Sequence, residues 1–152
     1  INPVDLVRLL ISQGLSMVVV SPDFEFPTRR AREVLPEQVP LSVMVSQSAR
    51  LASLVSGFHT GDMALSGRSL VDDVVTPRRA SLIPGAAAAM EAALSAGPLE
   101  ISLSGTEPSV FSLCRSARGA EVAAVAMQGR FFEAGLGGDV RVSAAYGPGV
   151  RR

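Results

Sequence analysis

Glu100-Ile101-Ser102-Leu103 and Ser109-Val110-Phe111-Ser112-Leu113-Cys114 are two short apolar runs separated by Ser104-Gly105-Thr106-Glu107-Pro108, a connection rich in turn residues. The alternation of Ile101 with Leu103 and the β-favouring content of the second run predict two strands, Glu100 to Leu103 and Ser109 to Cys114. Downstream, Arg118 to Gly135 has helical spacing, with Val122, Val125, Ala126 and Phe132 as expected core contacts and Leu136 just past its end. Asp139 to Tyr146 alternates Val140, Val142 and Ala144, which predicts a closing strand. Gly135-Leu136-Gly137-Gly138 precedes that strand rather than a helix, so it reads as a turn and not as a phosphate-binding loop.

Working upstream, Gly97-Pro98 stops an alanine-rich helix opened by Ile83-Pro84-Gly85, with Pro84 expected in the first turn, where a missing N–H does no harm. Pro77-Arg78-Arg79 reads as a loop, and Met63 to Val75 as a helix separated by Gly61-Asp62 from a longer one. In the longer helix Leu41, Met44, Val45, Ser48, Ala52, Val55 and Phe58 recur three or four apart and are expected to face the core. Thr28 to Leu35 is a short helix with Thr28 as the expected N-cap, ended by Pro36. Residues 15–21, a β-branched run closed by Pro22, complete four strands. The order predicts an α+β sandwich: a mainly antiparallel four-stranded sheet with helices packed on one side. No linker divides residues 1–152, so they are expected to form one domain.

Composition limits the chemistry. The 14 basic and 14 acidic residues balance, so no general field recruits nucleic acid or an anionic membrane. Every basic residue is arginine, which excludes a catalytic, Schiff-base or P-loop lysine. One histidine, His59, argues against a multi-histidine metal site or a histidine-centred triad. The lone Cys114 sits in an apolar run and reads as a small buried hydrophobe. No apolar stretch reaches transmembrane length and no signal peptide is recognisable, so the expected compartment is the cytoplasm or an organelle interior. The first residue is Ile1, which suggests that the chain begins inside a longer product.

Three patches, in order, resemble one family. Val19-Val20-Ser21-Pro22-Asp23 with Pro27-Thr28-Arg29-Arg30-Ala31-Arg32 and Val34-Leu35-Pro36 looks like the strand and arginine-bearing turn of homoserine kinases. Pro77-Arg78-Arg79-Ala80-Ser81-Leu82-Ile83-Pro84-Gly85 resembles that family's Pro-x-Arg-Ala-x-Leu-Ile-Pro-Gly segment. Ser104 to Phe111 stands where the third motif of the GHMP kinases, Ser-Gly-Ala-Gly-Pro-[Ser/Thr], belongs. The resemblance implies a C-terminal, ferredoxin-like GHMP kinase domain, with ATP and Mg²⁺ serving the whole enzyme and neither held by this chain alone. It also implies that Arg32 and Arg79 contact the carboxylate of L-homoserine or a similar amino acid, with Thr28 as a lesser candidate. A planar guanidinium can grip a carboxylate through two parallel bonds. The alternative is that these arginines are solvated or pair with Asp72, Asp73 or Glu33.

The remnant of the phosphate loop is Ser104, Gly105, Thr106, Glu107 and Ser109, and it departs from the pattern. Glu107 replaces a glycine that lets backbone approach a phosphate. Two like charges ~4 Å apart repel by about 1 kcal/mol in water, and by more in a shielded cleft. A second family glycine appears as Glu100. The family's phosphate-cradling loop, magnesium-holding residues and adenine pocket are not in this sequence, so no catalytic residue or metal ligand is assigned to it. These departures favour a degenerate homologue, a pseudoenzyme acting as an interaction or scaffold subunit. The alternative is the substrate-binding half of an active homoserine kinase on the route to threonine, and a third reading is an amino-acid sensor. Each implies a protein partner on the face normally packed against the N-terminal half, or self-association of the isolated chain.

Overall fold

The computed structural model describes residues 14–25, 27–105 and 107–146. The elements are β1 (Ser16–Pro22), α1 (Thr28–Glu33), α2 (Leu41–Thr60), α3 (Met63–Ser69), α4 (Thr76–Ala80), α5 (Ala86–Ser95), β2 (Glu100–Leu103), β3 (Val110–Cys114), α6 (Ala117–Glu133) and β4 (Gly138–Ala144). The strands form one antiparallel sheet in the order β2-β3-β1-β4. Val18 and Val20 of β1 lie opposite Ser112 and Val110 of β3, and this face meets α5 and α6. Period-2 alternation in β1 is visible in its burial, with Ser16, Val18, Val20 and Pro22 buried and the residues between them half-buried.

The core is built from small residues set around a few large ones. Ala86, Ala89 and Ala93 of α5 face Ala120, Ala123, Ala124, Met127 and Phe131 of α6. The α6 positions are spaced three or four apart, so they form one stripe. Alanine on both helices lets the backbones approach closely, and Met127 and Phe131 fill the space towards the sheet. This rotates α6 away from the expected register. Val122, Val125 and Phe132 are exposed, Phe132 at 78%. Ala126 is half-buried and Leu136 packs against the core, as expected. The α5 alanine face thus takes Met127 and Phe131 among the small residues of α6, and Val122, Val125 and Phe132 are left on the outer side.

Other local expectations change for similar reasons. In α2, Leu41, Met44, Val45, Ser48, Ala52 and Val55 are exposed and Phe58 only half-buried, because α2 packs against α3 and not against the sheet. That packing runs through Gly57, where an added Cβ would sit 2.6 Å from the Ser66 hydroxyl. Arg50 also ties α2 down, donating to Asp73 at 2.6 Å and to the Val71 carbonyl at 3.1 Å. Thr28 is the first helical residue of α1, and Pro27 occupies the cap without a side-chain bond. The helix from Met63 ends at Ser69 rather than Val75, and Pro77-Arg78-Arg79 lies inside α4. Pro84 lies outside α5, which opens from Gly85 at φ 78°, a left-handed conformation that an L side chain adopts at a cost. No described helix is long and apolar enough to cross a membrane.

Candidate functional site

Asp72 organises the site from a distance. Its carboxylate accepts hydrogen bonds from the Val74, Val75 and Thr76 backbone N–H groups at 2.7–2.9 Å and from the Thr76 hydroxyl at 2.9 Å. These donors open α4, and Thr76 also shares a 3.0 Å bond with the buried Ser102 hydroxyl of β2. Burial of Asp72 pushes its pKa up, but the Val75, Val74 and Thr76 donors outweigh it and hold the carboxyl below the ordinary value. Because the folded-state pKa is the lower one, this stabilisation is complete at neutral pH and disappears as pH falls through the folded value. The stability gap between the wild type and Asp72→Asn is therefore expected to shrink in urea titrations on going from pH 7 to about pH 3. A gap that widened with acid would contradict the assignment.

With α4 held on β2, Arg79 lands one turn further along. Its side chain is only 6% exposed. Nε donates to the Ala31 carbonyl at 2.8 Å, and Nη1 to the Gly105 carbonyl at 2.7 Å. One guanidinium thus bridges α1, next to Arg32, and the turn that follows β2. Neither Asp72, Asp73 nor Glu33 pairs with it: Asp73 takes Arg50, and Glu33 takes Arg29 at 2.7 Å. Among the described residues Arg79 has no carboxylate partner. A buried cation satisfied by carbonyls alone keeps a positive field, which favours an incoming anion.

Arg32 and Thr28 are exposed on α1, so they are open to a ligand from solvent. The turn after β2 closes where the Ser104 N–H donates to the Ser109 carbonyl at 2.8 Å. Ser109 is buried, and its hydroxyl lies 2.9 Å from that of Ser21 at the end of β1. Gly105 takes φ 61°, and an added Cβ there would meet nothing within 4 Å. Ser104 and Glu107 are exposed, and Thr106 lies outside the described residues.

Glu100 does not belong to this turn. It starts β2 opposite Leu113, whereas Leu103 next to the turn lies opposite Val110. Three strand steps, roughly 10 Å, separate the two ends. Its carboxylate accepts from the Ile101 N–H at 3.1 Å. A cavity of about 540 Å³, lined by Ser16, Arg115, Ser116 and Tyr146 among others, likewise lies at the opposite end of β1 from Ser21. Cys114 is buried, and burial pushes its thiol pKa up, with a smaller opposing effect from Ser112; this agrees with a structural role.

Arg79 thus joins the α1 backbone at Ala31 to the turn after β2 at one end of the sheet. The family model for the C-terminal domain of GHMP kinases matches residues 54–134. The chain belongs to that family. This GHMP domain is similar to homoserine kinase of Chlorobaculum tepidum, at 40% identity over 99% of the chain and 47% of the relative. It is also similar to homoserine kinase of Xylella fastidiosa, at 40% identity over 96% of the chain and 45% of the relative. A crystal structure of homoserine kinase from Cytophaga hutchinsonii superposes with a TM-score of 0.90 and 39% identity, over 93% of this chain and 45% of that one. Streptococcus pneumoniae phosphomevalonate kinase shares the fold, with a TM-score of 0.63 at 11% identity. The GHMP domain thus spans about half the length of the curated relatives it matches.

Sequence reasoning singled out Arg32 and Arg79 but missed the Asp72–Thr76–Ser102 chain and the Ser21–Ser109 pair. Thr76-Pro77 is a helix-opening signal that would have placed α4. The serine pair has no sequence signal, since its members are far apart in the chain.

Proposed function

We propose that this chain is the substrate-side half of a homoserine kinase, an enzyme that moves the γ-phosphoryl group of ATP to the hydroxyl of L-homoserine. The observation that carries the reading is that Arg79 ties α1, the helix that bears Arg32, to the third-motif turn, in a fold superposing on a homoserine kinase with a TM-score of 0.90. In this reading Arg32 grips the substrate carboxylate, the buried charge of Arg79 adds attraction, and the turn after β2 forms one wall of the phosphate site. Such a division suits phosphoryl transfer, which depends on positioning and on stabilising phosphate charge. ATP with Mg²⁺ supplies the transferable phosphoryl group. No group of three or more His, Cys, Asp or Glu side chains gathers among the described residues.

The scaffold reading loses much of its basis. Glu100 lies at the far end of β2 from the turn, so of the two glycine-to-glutamate departures only Glu107 stands at the turn. The exposed apolar face of α2, with Leu41, Met44, Val45, Leu51 and Val55, also gains an occupant in the proposed enzyme: the half of the relatives' length that this chain does not span.

The test compares the 152-residue chain with the same chain joined to its upstream half. The joined protein is expected to phosphorylate L-homoserine and to be monodisperse by light scattering. The short chain is expected to self-associate and to show no turnover. ATP-dependent turnover by the short chain alone, or a folded joined protein that transfers nothing to L-homoserine, would sink the proposal.

A further inference from the structure

We infer that Arg79 is a positioning residue through which amino-acid binding and nucleotide binding at this site become energetically coupled; the inference rests on the homoserine kinase reading above. Its two bonds join the two parts of the site in that reading. Ala31, whose carbonyl accepts from Nε at 2.8 Å, directly precedes Arg32, the exposed arginine that faces the carboxylate in that reading. Gly105, whose carbonyl accepts from Nη1 at 2.7 Å, lies in the turn assigned to the phosphate wall. The guanidinium is planar, so the two carbonyls are held in a fixed mutual geometry. A shift of α1 as Arg32 engages a carboxylate is therefore transmitted to the turn through Arg79, and the reverse holds when a phosphate draws on the Gly105 backbone.

The root of the guanidinium is also fixed. Asp72 binds the opening N–H groups of α4, and Thr76 bonds Ser102 at 3.0 Å. Arg79 therefore pivots from a point anchored on β2, the same strand that leads into the Gly105 turn. Both acceptors are main-chain carbonyls, so no side-chain change at 31 or 105 removes them, and residue 79 is where the link can be cut. A lysine keeps the charge, but its single ammonium lacks the fork that spans both carbonyls.

Coupling between two ligands is reciprocal, so it can be read from either side. The experiment uses the intact kinase, this chain joined to its upstream half, and titrates L-homoserine calorimetrically with and without a non-hydrolysable ATP analogue and Mg²⁺. The wild type is expected to bind L-homoserine about 5-fold or more tightly when the nucleotide is present. In Arg79→Lys the amino acid still binds, but the nucleotide no longer changes its affinity. Thr76→Val, which leaves the guanidinium intact and loosens α4, is expected to lower the coupling partway, and carries the test if Arg79→Lys does not fold. Coupling in either folded variant equal to that of the wild type, or a wild type without coupling, overturns the inference. A wild type that binds nucleotide but never L-homoserine overturns the homoserine kinase reading, and the coupling with it.

Discussion

Phe131→Ala is expected to destabilise the protein by about 3–5 kcal/mol, the cost of removing a large aromatic side chain from a closed core. Phe131 is 1% exposed, at the point where α6 approaches the start of α5. Its ring lies so close to that crossing that a Cβ added at Gly85 would meet Cδ1 at 3.4 Å. The core face of α5 is alanine at positions 86, 89 and 93, and such short side chains cannot swing inward to refill the space. Phe132, the next residue, is 78% exposed, and its replacement by alanine should stay within roughly 0.5 kcal/mol. Denaturant unfolding of the two variants side by side measures the register of α6 directly. A larger loss for Phe132→Ala would mean that the helix is rotated from the position described.

In the homoserine kinase proposed above, Arg32→Ala should raise the KM for L-homoserine about 10- to 100-fold, the range for losing a charge-assisted bond to a carboxylate. The KM for ATP should barely move. Arg32 is exposed and makes none of the ion pairs seen among the described residues, so its loss removes no structural bond. Steady-state kinetics separates this from a folding defect, which would lower the active fraction without a selective change in the amino-acid KM. An unchanged homoserine KM would remove Arg32 from the site. Arg79 is different, because two of its donors already hold backbone carbonyls.

The strands were legible because each combines β-branched content with a punctuating turn. The run at residues 15–21 and the pair around Ser104 to Pro108 emerge within one residue of the expected bounds, and the strand at Val140 and Val142 within two. The helices were legible as helices but not as faces. In α2 and α6 the larger hydrophobic residues were expected inside, and the structure leaves most of them exposed. Helical period identifies a stripe, but two stripes can share one helix, and only the partner surface selects between them. For α6 that surface is the alanine face of α5, and for α2, among the described elements, it is chiefly α3.

At the site, residue types and local patterns were enough to name Arg32, Arg79 and the turn from Ser104, because arginine beside a family-like pattern is a local signal. What no pattern revealed is the burial of Arg79, its two backbone acceptors, and the irrelevance of Glu100 to the turn. The two Arg79 contacts depend on residues 26 to 48 positions apart being brought within 3 Å. Local propensity and hydrophobic period act over a few residues, so the amino-acid order alone determines strands, helices, turns and the chemical inventory. Which helix face is buried, which arginine is a strut and which remains open to a ligand are set by contacts between distant segments, and the tertiary structure alone decides them.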